Sequence, residues 1–146
     1  MILKRLSSLV FACAVLAATT GCAVNRATAN VMPEADLSKV KSVYVVKVPE
    51  DERGIDDLIK KNLAKRGYQV DGGPEQKPPY KTDAVVTYID KWMWDITMYM
   101  LELTITVRNQ ASFPMATGNS LHTSLTRKSP EEMVDEVLTN IHNAKK

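Results

Sequence analysis

The sequence predicts an α+β domain: a mixed five-stranded sheet with two helices packed on one face. Three observations predict it. Residues 42–73 read strand, helix, strand, a βαβ unit whose strands run parallel. Two longer strands follow, the second alternating apolar and polar residues over 101–108. The chain then closes on an amphipathic helix with a complete start signal, SPEE at 129–132.

The elements follow in order. SVYVVKV (42–48) is apolar on both sides and rich in β-branched residues, as a central strand requires. Ile55, Leu58, Ile59 and Leu63 recur at helical spacing. Asp56 and Asp57 lie early in that helix, Lys65 and Arg66 late, and Gly67 ends it. YQVDGG (68–73) is a short strand, and GGPEQKPPYK is a loop. DAVVTYIDKW (83–92) and MYMLELTITVRN (98–109) are strands; Leu101, Leu103, Ile105 and Val107 face the helices, and the even positions face water. QASFPMATGN reads as a turn region. SLHTSLT (120–126) is the fifth strand, with Leu121 and Leu125 inward and Ser120, His122 and Ser124 outward. In the last helix Met133, Val134, Val137, Leu138 and Ile141 form the apolar stripe. The order is therefore β-α-β-β-β with one further α at the end, and the two helices cover one face while the other meets water.

The start of the chain carries a different message. MILKR is a short cationic head, and LSSLVFACAVLAA is an apolar run of thirteen residues. A membrane span takes roughly twenty, so this run suits a secretory signal. TTGC follows, and a small residue before cysteine resembles the bacterial lipoprotein cleavage site. Thr19 stands where such signals usually carry leucine. The resemblance implies removal of residues 1–21, acylation of Cys22, and, with Ala23 next, sorting to the outer membrane on its periplasmic face. The competing site is the A-x-A triplet Ala27-Thr28-Ala29, well past the apolar run. Residues 23–36 lack apolar periodicity and read as a flexible tether, with a span on the order of 20 Å. The periplasmic domain then occupies 37–146.

Lys4 and Arg5 are the only charges before Arg26, so the processed chain carries 17 basic and 17 acidic side chains. No basic arm or lysine-rich face points to nucleic acid. The cysteines are Cys13, inside the signal, and Cys22, so no disulfide is expected. His122 and His142 lie apart, no cluster has metal-ligand spacing, and no cofactor is expected. Asp90 and Asp95 flank the tryptophans and invite an acid/base reading, but a strand-end carboxylate more commonly solvates or caps a turn.

The densest aromatic stretch is YIDKWMWDITMYM (88–100), which holds both tryptophans of the chain. Its pattern WxWD…YM, here Trp92, Trp94, Asp95, Tyr99 and Met100, resembles a family of small, functionally unassigned proteobacterial lipoproteins. The likeness runs from Val43 to the last helix and includes KRGYQV at 65–70. At the level of architecture the chain also resembles envelope lipoproteins that accompany transport or lipopolysaccharide-assembly machines, which does not fix function.

Strand parity puts Met98 and Met100 on the open face; a hairpin pairing residues of even sum adds Trp92 and Trp94 to the same patch. A partner-binding surface on Trp92, Trp94, Met98 and Met100 is one reading, a satellite core closed by Phe113 and Met115 a second, and a membrane-surface contact a third. The functional expectation is a non-enzymatic, membrane-anchored accessory or assembly component of the envelope with an unknown protein partner. The competing class is a periplasmic small-molecule or lipid binding module, which needs Trp92, Trp94 and Tyr99 to line a pocket.

Overall fold

A computed structural model describes residues 24–144; the expected signal at 1–21 and the expected lipidation site Cys22 lie outside the described residues. The elements are β1 (Asn25–Val31), β2 (Ser42–Val46), α1 (Ile55–Lys65), β3 (Gln69–Gly73), β4 (Ala84–Asp95), β5 (Thr97–Arg108), β6 (Pro114–His122) and α2 (Pro130–Asn143). The sheet has six strands in the order β1-β6-β5-β4-β2-β3. β2 runs parallel to β3 and β4, as a βαβ unit demands, and every other pairing is antiparallel.

The fold class holds, but the strand number is corrected from five to six. The added strand is β1, in the segment read as a tether. It pairs with β6 from Asn25↔His122 to Val31↔Ala116. NRATANV escaped detection because most of its side chains stay exposed. It is an edge strand held by its backbone ladder, with only Ala29 and Val31 packing on the core. Val24, the first described residue, is itself tied down, its carbonyl accepting from the Thr123 amide and hydroxyl.

Both helices lie on the same face. Val43, Val45, Val86, Leu103 and Ile105 of the sheet meet Ile55, Ile59 and Leu63 of α1 and Met133, Val137 and Ile141 of α2 in one buried cluster. α2 begins as its sequence requires: Ser129 Oγ accepts from the Glu132 amide while the Glu132 carboxylate accepts from the Ser129 amide. α1 is started differently. Gly54, at φ 70°, provides no side-chain cap, and Asp51 instead accepts from the Arg53 and Asp56 amides. Gly67 ends α1 at φ 91°.

β6 departs most from expectation. It starts at Pro114, inside the predicted turn region, and its parity is inverted: Ser120 and His122 are buried under α2, while Leu125 is 82% exposed. The cause lies at Gly118. A Cβ there would come within 2.8 Å of Val137 Cγ1 and 3.0 Å of Ile141 Cγ1. Ala116, Gly118 and Ser120 thus form a floor of small residues on which α2 rests closely.

Candidate functional site

β4 and β5 are each twelve residues long, more than their neighbours can use. β2 pairs with β4 only as far as Val86, and β6 pairs with β5 only from Glu102 onward. Beyond the Lys91↔Glu102 pair the two strands continue alone as a ribbon.

A register shift marks the start of that ribbon. The pairing passes from Lys91↔Glu102 to Trp92↔Met100, leaving Leu101 as an extra residue. The bulge reverses parity. Met100 therefore joins Leu103 on the helix side and is 1% exposed, in the main core. Trp92, opposite it, is half-buried against the same core. The expected four-residue open patch is corrected accordingly. The four side chains do share one side of the ribbon, but it is the helix side, and Met100 and Trp92 serve packing. Trp94, at 69%, and Met98, at 47%, lie past the helices and are exposed.

The base of the ribbon is clamped on both sides. The Arg53 guanidinium lies 4.3 Å from the centre of the Trp92 ring, and the indole Nε1–H donates to Asp90. On the other side Arg127 lies 4.6 Å over buried Tyr99, donates to Thr97 Oγ1 at 2.8 Å and approaches Asp95 at 3.8 Å. Asp90 and Asp95 are thus engaged with Trp92 and Arg127 on opposite sides of the ribbon, not with each other.

The tip is built against local preference. Ile96, in the turn, has φ 60° and is 86% exposed. A β-branched residue in the left-handed region is strained, and asparagine or glycine would relieve it. A large apolar side chain kept in a strained, exposed turn is the combination expected where function, not folding, selects the residue.

Two polar clusters escaped the sequence reading. Under α2, Glu136 Oε2 accepts from Ser120 Oγ at 2.6 Å and lies 2.8 Å from His122 Nε2, while Lys128 Nζ donates to Oε1 at 2.6 Å. Burial pushes the Glu136 pKa up, but the bonds from Lys128, Ser120 and His122 outweigh it and bring it down to about 2. The cluster is not a nucleophile–base pair. Ser120 and His122 both turn to the same carboxylate oxygen, and Ser120 is fully buried. The second cluster centres on Asp51, which accepts from Tyr88 Oη at 2.7 Å and from the two amides that start α1. Burial raises its pKa and these bonds lower it, with a net shift below the usual carboxylate range. Small residues at every second position of 116–120, facing a helix with one carboxylate beside its stripe, were the available sign of the first cluster.

An apolar cavity of about 40 Å³ lies between α1, α2 and the sheet, lined by Leu37, Val43, Leu63, Tyr68, Leu138 and Ile141 among others. It holds a few waters at most, whereas small-molecule sites run to about 300 Å³ or more.

No family model matches the chain, and no curated protein matches it. Several solved chains have a similar fold, two PelC structures among them. A PelC variant dodecamer from Paraburkholderia phytofirmans, in space group C2, superposes with a TM-score of 0.58 at 12% identity, covering 81% of this chain and 97% of that one. The PelC dodecamer from the same organism, in space group P6, gives 0.57 at 11% identity, covering 81% and 98%. At that identity the likeness shows the fold.

Proposed function

We propose that this protein is a lipid-anchored accessory or assembly component of the cell envelope, without catalytic activity, and that it works by contact through the tip of the β4–β5 ribbon. The anchor is Cys22, and the location is the periplasmic face of the outer membrane, with Ala23 as the sorting residue. The observation that carries the reading is the tip itself: Met93, Trp94, Ile96 and Met98 are exposed together on a ribbon whose base is clamped by Arg53 and Arg127. Apolar side chains concentrated on a projecting, pre-positioned element are what a contact surface requires. The small-molecule alternative is less well supported, because Trp92 and Trp94 share one side of the ribbon and Tyr99 takes the other.

Replacing the anchor tests the reading. Cys22→Ala abolishes fatty-acid labelling and moves the protein from the membrane fraction to the soluble periplasm. Retention of the variant on membranes would contradict the anchor.

A further inference from the structure

The partner of the tip follows from where the chain enters the sheet. β1 starts at Asn25, opposite His122 of β6, and Leu121 of β6 lies opposite Glu102 of β5, the last pair before the ribbon runs free. The amino-terminal entry and the free ribbon therefore leave the sheet at the same end. Cys22 precedes Asn25 by three residues, so its Cα lies within about 11 Å of Asn25 at full extension. The ribbon continues from the Asn25 level through residues 100 to 96, about 17 Å at strand rise. An acylated Cys22 places a bilayer surface at this end, and the ribbon reaches farther in that direction than the anchoring segment can.

A second observation comes from the distribution of apolar side chains. Of the nine exposed large hydrophobic residues among the described ones, six stand at this end: Val24, Met93, Trp94, Ile96, Met98 and Leu125. Leu125 belongs to the turn that follows β6 and flanks Val24, whose carbonyl accepts from Thr123. Behind the tip, Arg26 and Lys91 both bridge to the single carboxylate of Glu102, leaving one excess positive charge where lipid phosphates would lie.

We infer that the tip, with Leu125 beside it, inserts into the interfacial layer of the bilayer that holds Cys22, so that the sheet stands upright on the membrane. The inference rests on the lipid-anchor reading of Cys22. Tryptophan with apolar neighbours suits that layer, where one part of the side chain is buried and the other stays wet. Insertion also gives the acyl anchor a second attachment, which fixes the orientation of the sheet relative to the membrane.

The test uses the full mature protein, purified from membranes and reconstituted into phosphatidylethanolamine–phosphatidylglycerol vesicles. In a Trp92→Phe variant, Trp94 is the sole tryptophan. Brominated acyl chains should quench it about twofold, as a depth of about 5–10 Å requires. Should that variant fold poorly, Ile96→Cys carrying a polarity-sensitive fluorophore replaces it and should shift to the blue on reconstitution. The same fluorophore on Phe113→Cys, beyond the opposite end of β5, should not shift. Intact mass of the reconstituted sample reports Cys22 acylation. Acylated protein whose tip stays unquenched and unshifted overturns the insertion alone; a protein with unmodified Cys22 overturns the anchor reading and the insertion with it.

Discussion

Met100→Ala lowers the stability of the domain by about 2–5 kcal/mol, the range for truncating a fully buried methionine, while Met98→Ala, two residues away on the same strand, changes it by about 0.5 kcal/mol or less. The difference arises from position along the ribbon, since both side chains point to the same side. Met100 lies under the helices beside Leu103, and Met98 lies beyond them in water. The tryptophans repeat the contrast. Trp92→Ala removes core packing and the stack with Arg53 and is expected to cost at least 2 kcal/mol, by about the same reasoning, whereas Trp94→Ala leaves the fold nearly unchanged. Urea unfolding of the four variants provides the comparison. A loss at Met100 as small as that at Met98 would show that Met100 does not turn into the core, and would contradict the bulge at Leu101.

Glu136→Gln is the second large effect, and it depends on pH. The folded pKa of Glu136, about 2, lies below the ordinary value of 4.5. The carboxylate therefore stabilises the fold fully above pH 4.5, and that stabilisation is lost as pH falls towards 2. A shift of this size corresponds to about 2–3 kcal/mol after allowance for partial exposure. At pH 6 the variant should be less stable by that amount, because Lys128 loses its ionic partner. The gap between the two proteins should close between about pH 4.5 and 2, as the wild-type carboxyl becomes protonated. Chemical unfolding at a series of pH values measures it. A gap independent of pH would mean that Glu136 acts by shape, not by charge.

The sequence made α2 fully legible, because Ser129, Pro130 and Glu132 signal its start within four contiguous residues. The core face of β5 was legible from Leu103 to Val107, where strict alternation marks a half-buried strand. It failed at the bulge. Met100 and Leu101 are adjacent and both apolar, and nothing local decides which of them turns inward; the pairing with Trp92 decides it. β1 was hidden because an edge strand with small and polar side chains needs a ladder partner and little else. β6 was misread because Leu121 and Leu125 looked like core, whereas the floor under α2 needed the smallness of Gly118 and the hydrogen bonds of Ser120 and His122. In both β1 and β6 the deciding partner is distant in sequence. The candidate site was legible as a place, Trp92 to Met100, and its apolar point proved to be Trp94, Ile96 and Met98.

Contact through the tip and its insertion beside the anchor both require that the entry of the chain and the ribbon tip stand at the same end of the sheet. Electron–electron distance measurement between spin labels on Asn25→Cys and Ile96→Cys, in a soluble mature chain with Cys22→Ser, tests it directly. Five residues of strand rise and two to three strand spacings separate the two backbone positions, on the order of 20 Å. A narrow distribution near that separation, lengthened only by the label arms, is the predicted result. A broad distribution, as a flexible tether over residues 23–36 would produce, or a narrow one beyond about 35 Å, would contradict it.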